Sequence, residues 1–138
     1  MRVFLDTNVM IDLIISRHPF HKGIAEIVKI AEKKELKLYT SSLSFVNTFY
    51  VASKNNTKEL VIESLKKFRI ICDVTIIDEL NVDKSLLSDF EDFEDAVQYF
   101  TALKKNCNYI ITGDSKDFKN SKILTLSPTE FLKIIKQS

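Results

Sequence analysis

Three stretches of this chain set carboxylates where chemistry becomes possible. The first is Leu5-Asp6-Thr7-Asn8. A short apolar run ends in Asp6 and polar residues follow at once, which puts a carboxylate at the carboxyl rim of a sheet. Asp6 reads equally well as the cap of the helix that follows. The second is Glu91-Asp92-Phe93-Glu94-Asp95, at the head of an amphipathic segment. The third is Ile111-Thr112-Gly113-Asp114-Ser115-Lys116-Asp117-Phe118, another apolar run that ends in a small polar loop. For a lone Asp there, a turn is the plainer reading, and Asp117 fits a turn or cap better than a ligand.

The helix expected over residues 91–105 narrows the choice. On a helical projection, Phe93, Ala96, Val97, Phe100 and Leu103 form the expected core stripe. Glu91, Glu94, Gln98, Thr101 and Lys105 fall on the other side, which sends Glu94 to water. Asp95 lies between the stripes, in line with Tyr99 and Ala102, and Asp92 lies one turn earlier. An unpaired charge against apolar surface is costly. Asp92 is explained by capping or the helix dipole; Asp95, past the first turn, is better explained by a cation. Hard oxygen ligands of this kind suit Mg²⁺ or Mn²⁺ and not zinc.

Other chemistries find less support. His18 and His21 flank Pro19 and are too few for a zinc site. Gly23 and Gly113 stand alone, so the glycine-rich phosphate fingerprints are missing. Ser41, Ser42 and Ser44 have no evident histidine partner for nucleophilic catalysis.

The elements that must position these residues alternate in type. Strands are expected over residues 2–5, 36–39, 70–77, 109–112 and 122–126. Helices are expected over 8–16 (ended by Pro19), 20–34, 43–54, from Thr57 through Phe68, over 80–87 and 91–105, and from Pro128 onward. Thr40-Ser41-Ser42 supplies capping residues for the third of these helices. Ser127, Pro128 and Glu130 carry the signature of a capping box with proline in the first turn. Strands separated by helices imply a parallel sheet covered on both faces. The expected architecture is therefore α/β, a three-layer sandwich in one domain over residues 1–138.

Composition agrees. The chain is 45% hydrophobic and 28% charged, with two glycines and two prolines, which fits a globular protein and excludes a low-complexity one. The net charge of +1 argues against an obligate nucleic-acid coat protein. No apolar run is long enough for a bilayer span, and no secretory leader is legible, so the expectation is a cytoplasmic protein. Cys72 and Cys107 are expected as reduced, buried thiols.

Taken in order, Phe4-Leu5-Asp6-Thr7-Asn8-Val9, Phe93-Glu94-Asp95-Ala96 and the segment from Ile111 to Phe118 resemble the signatures of PIN domains, including toxin nucleases of the VapC type. The resemblance spans the whole chain. It implies an α/β/α sandwich and an acidic pocket for Mg²⁺ or Mn²⁺, formed by Asp6, Asp95 and Asp114, with Asp117 secondary. It also implies endonucleolytic cleavage of RNA, a homodimer, and an antitoxin protein that blocks the pocket. Asn8 and Thr112 would orient the ligands or the substrate. Lys54, Lys116, Lys119 and Lys122 could hold flanking phosphates, although solvated surface is the plainer reading of each. One departure stands out. Asn47 occupies the place where such nucleases usually carry a glutamate, and it brings a carbonyl oxygen without charge. That departure leaves a catalytically weakened RNA- or protein-binding module as the main alternative. A phosphatase of the haloacid dehalogenase type is weaker, because it would need an acid at Asn8.

Overall fold

The computed structural model describes residues 1–33, 35–113, 118 and 121–137. Among them the chain runs β1 (Arg2–Leu5), α1 (Thr7–Ile14), α2 (His21–Glu32), β2 (Lys37–Ser41), α3 (Ser42–Ala52) and α4 (Lys58–Ile71). It continues through β3 (Cys72–Thr75), α5 (Glu79–Leu86), α6 (Phe93–Lys104), β4 (Tyr109–Ile111), β5 (Leu124–Leu126) and α7 (Pro128–Lys136).

The strands form one sheet in the order β3-β2-β1-β4-β5, and every pairing is parallel. The register sets Phe4 opposite Tyr39 on one side and Ile110 on the other. Alternation along β1 sends Val3 and Leu5 to one face and Phe4 to the other. Val3 and Leu5 join the larger core, with residues of α1, α2, α3, α4 and α7 such as Met10, Ile27, Ala52, Leu65 and Phe131. Phe4 joins the smaller core with Tyr99 and Ala102 of α6. This is the expected three-layer sandwich.

The sheet reverses direction of growth at β1. From β1 the chain steps to β2 and β3 on one side, then returns to add β4 and β5 on the other. Sites in such sheets form at the carboxyl ends of the strands flanking that switch. Threonines finish the ladder at this end: Thr40 Oγ1 donates to the Leu5 carbonyl (2.9 Å) and Thr75 Oγ1 to the Thr40 carbonyl (3.0 Å).

Several boundaries differ from expectation for clear reasons. The β-branched run at residues 70–77 gives a strand only over Cys72–Thr75. Ile70 and Ile71 complete α4, whose Val61, Leu65 and Phe68 face the core, and Ile70 is 83% exposed. The helix passes into the strand with Cys72 as its extended cap. β2 runs on to Ser41, because Thr40 and Ser41 pair with Val74 and Thr75. α1 stops at Ile14, well before Pro19. Ser16 adopts a left-handed φ of 52°. Its N–H bonds the Leu13 carbonyl and the Arg17 N–H bonds the Asp12 carbonyl, a Schellman closure. Asn106, φ 55°, closes α6 in the same way. The capping box of α7 is present as expected. Both cysteines are buried and free.

Candidate active site at the carboxyl rim of the sheet

Asp6 sits where β1 ends, only 5% exposed. Its backbone N–H donates to the Ile111 carbonyl, so β4 holds it in place. One carboxylate oxygen caps α1 by accepting from the Thr7 N–H (2.9 Å), and the other accepts from Thr112 Oγ1 (3.0 Å). The cap and the site reading of Asp6 are therefore compatible. Burial pushes its carboxyl up to about 6, against the pull of hydrogen bonds from Thr112, Thr7 and Gln98. The negative charge of Glu94 raises it further.

That influence corrects the expectation for α6. Glu94 does not point to open water. It is half-buried, accepts from Asn47 Nδ2 at 3.4 Å, and bears on Asp6. The middle of the assumed polar stripe faces inward, with Gln98 0% and Thr101 1% exposed, while Glu91 and Lys105 at its ends are exposed as expected. Phe93 and Leu103, expected in the core, are 49% and 41% exposed. The middle of the stripe is buried because it finds polar partners. Gln98 Nε2 donates to Thr7 Oγ1 (2.8 Å) and Ser44 Oγ (2.7 Å), and its Oε1 accepts from Ser41 Oγ (2.6 Å). Thr101 accepts from Asn81 of α5 (2.8 Å). A buried polar group loses little when every partner is supplied. Gln98 thereby ties the β1–α1 junction and the β2–α3 junction to α6. Its amide N–H₂ faces the Asp6 side, the side on which a carboxylate requires donors.

The remaining expected residues fall as follows. Asn47 is half-buried on α3, one turn beyond Leu43. Thr112 is buried against Asp6 and Asn8 is exposed in the first turn of α1. Asp92 is exposed and caps α6, accepting from the Asp95 N–H (2.9 Å). Asp95, expected past the first turn, is half-buried within it, next to Glu94, because the helix begins only at Phe93; the helix dipole there also favours its charge. Asp114, Lys116, Asp117 and Lys119 lie outside the described residues. Lys54 stands over the Tyr50 ring of α3, 4.9 Å from its centroid, and Lys122 is exposed before β5. Among the described residues, no three acidic, histidine or cysteine side chains gather at one point. The structure thus brings together Asp6, Thr112, Glu94 and Asn47. Sequence reasoning missed Glu94 and Gln98. Their spacing with Thr101, at steps of four and three, placed them on one face, but nothing in the spacing says that this face turns inward.

The donors suit a hard cation. They are carboxylate, amide and hydroxyl oxygens, and Asp6 carries a buried charge that Glu94 makes less favourable. A divalent ion would relieve both penalties.

Fold and rim together define an α/β/α domain whose buried acid lies at the topological switch of a parallel sheet. A family model described as PIN domain matches residues 2–116. The chain belongs to the PIN-domain family. It is 30% identical over 135 residues to Ribonuclease VapC1 of Aquifex aeolicus (strain VF5), spanning 94% of this chain and 92% of that protein. Among solved structures it is similar to VapBC2 from Rickettsia felis bound to a DNA fragment from their promoter. The TM-score is 0.70 at 18% identity, over 92% of this chain and 98% of that one. VapBC-1 from nontypeable Haemophilus influenzae gives 0.68 at 21%, over 94% and 99%. At these identities the structural likeness is one of fold.

Proposed function

We propose that this chain is a divalent-metal-dependent endoribonuclease and the toxin of a toxin–antitoxin pair. The observation that carries the reading is Asp6: a buried carboxylate at the switch of the sheet, held from both sides by Thr7 and Thr112 and beside a second acid. The named relative, a ribonuclease aligned over nearly the whole chain, supports it. Asp6, Asp95 and Asp114 would hold Mg²⁺ or Mn²⁺, with Glu94 close by. When bound, the ion supplies Lewis acidity to a phosphodiester and a water of lowered pKa.

The chain's own residues do the positioning. Thr112 and the Thr7 N–H fix the orientation of the Asp6 carboxylate. Gln98 keeps α1, α3 and α6 at fixed separation. Asn8, exposed in the first turn of the helix that Asp6 caps, can donate to substrate. Asn47 brings no charge of its own, but it holds Glu94, which does. That bond favours an active site over a weakened binding module. An antitoxin covering the rim, a homodimer and a cytoplasmic location belong to the same proposal. Among the described residues, no helix is long and apolar enough to cross a membrane.

The test is cleavage of a labelled single-stranded RNA with Mn²⁺. Wild type should cut, and EDTA should stop it. Asp6→Asn should lower the rate by about a hundredfold or more. Equal cutting by wild type and Asp6→Asn would assign the activity to a contaminant and end the reading.

A further inference from the structure

The proposed chemistry makes no use of Arg17-His18-Pro19-Phe20-His21-Lys22, a basic stretch interrupted by an aromatic ring. It joins α1 to α2. The Schellman closure at Ser16 turns the chain so that Arg17 leaves the helix and stands over the Phe20 ring, 5.5 Å from its centroid. Phe20 is 54% exposed, so its ring is accessible to a ligand in the groove. Arg17 and Phe20, with Val9 and Pro128, line a cavity of about 720 Å³. The same cavity reaches Asn8 and Gly113, which directly follow the Asp6–Thr7 and Thr112 positions of the candidate site. One end of the groove is thus lined by the residues next in sequence to the candidate site.

We propose that this groove is a subsite for single-stranded RNA beside the cleaved bond, with a base against Phe20 and the neighbouring phosphate on Arg17. The inference rests on the ribonuclease reading. An accessible ring next to a guanidinium matches an unpaired base joined to a phosphate, since every base has a face to stack and every linkage a charge. A duplex keeps its bases in the stack and offers no such face. The volume lies in the range of sites that enclose a small ligand, enough for a nucleotide. Asp12 holds Arg17 through one Nη at 3.6 Å, and the fork has further donors for a phosphate. His18, His21 and Lys22 are the other polar and cationic residues of the same connecting stretch.

The probe is a fluorescein-labelled single-stranded RNA of about ten nucleotides, within the span such grooves bind, read by fluorescence anisotropy. The binding protein is the full chain carrying Asp6→Asn, in EDTA, so that cutting is suppressed. Adding Phe20→Ala should weaken binding about tenfold, and Phe20→Trp should retain it. Arg17→Met should weaken binding and reduce the slope of log affinity against log salt by about 0.7. Lys66→Met, on the exposed face of α4, should change neither. In the otherwise wild-type enzyme, Phe20→Ala should raise KM with a much smaller effect on kcat. Thermal melting should match wild type, because Phe20 is exposed. If wild type binds and cuts RNA while Phe20→Ala and Arg17→Met do so equally well, the subsite is overturned and the nuclease stands. The subsite is overturned in the same way if these variants shed a co-purified protein with RNA affinity unchanged. If wild type neither binds nor cuts RNA, the nuclease reading fails and the subsite fails with it.

Discussion

The side chain of Gln98 makes hydrogen bonds to three hydroxyls from two different strand–helix junctions, with no exposure to water. Gln98→Leu keeps similar volume and removes every one of those bonds. Thr7, Ser41 and Ser44 would then compete for too few partners, at a cost of about 2–4 kcal/mol by denaturant melting. Catalysis per folded molecule should fall about tenfold to a hundredfold, as for other groups that orient ligands. Combining it with Ser44→Ala should cost less than the sum, because both changes break the same network. Additive losses would show that the hydroxyls act separately.

Asp6 gives a pH signature in metal-free protein. Its folded pKa, about 6, lies above the ordinary value of 3.8. The folded state therefore holds the proton more tightly than the unfolded chain. The stability this contributes is complete below pH 3.8 and is lost as pH rises through 6, a swing on the order of 2–3 kcal/mol. Melting in EDTA should show this trend as the difference between wild type and Asp6→Asn, and Mn²⁺ at about neutral pH should raise the wild-type Tm. A difference that stays constant from the acid side of this range to neutrality would contradict the burial argument.

Asp6 was legible in the sequence because a strand end followed by a capping position is a local pattern. Glu94 and Gln98 were not. A helical projection sends polar residues outward by default, and only the hydroxyls of other segments reveal that this face is satisfied inside.

At the scale of elements, caps were legible and junctions less so. Ser41, Thr57, Ser127 and the Glu130 reciprocal bond follow from residue types a few positions apart. The left-handed residues Ser16 and Asn106 were not foreseen, since neither is glycine. The α4–β3 joint was misplaced because Ile70 and Ile71 favour a strand intrinsically, whereas the core-facing Val61, Leu65 and Phe68 keep the helix going. Ser16→Gly should relieve the left-handed strain and raise stability by about 0.5–1 kcal/mol after the entropy lost to glycine is counted. Ser16→Val should lower it. Chemical denaturation of both variants decides, and equal midpoints would mean that the closure carries no strain.

At the scale of the molecule, the sheet has two dissimilar cores, and β1 is shared between them. Phe4 is fully buried in the smaller one, beside Tyr99 and Ile110. Phe4→Ala should cost about 3–5 kcal/mol, enough to leave a domain of this size marginal. An unchanged melting temperature would rule out this packing. The parallel sandwich was legible from the alternation of element types alone. The order of the strands was not, because nothing local states which strand will lie beside β1.

The central strand is also the first of the described five in chain order. Asp6 is made well before Thr112, whose hydrogen bond to it spans 106 positions of sequence. A nascent chain that has not yet produced β4 has an acid without its clamp and lacks two of the sheet's five described strands. Long-range pairings of this kind form late and slowly. On the proposed nuclease reading, chains that end before β4 should therefore be inert toward RNA.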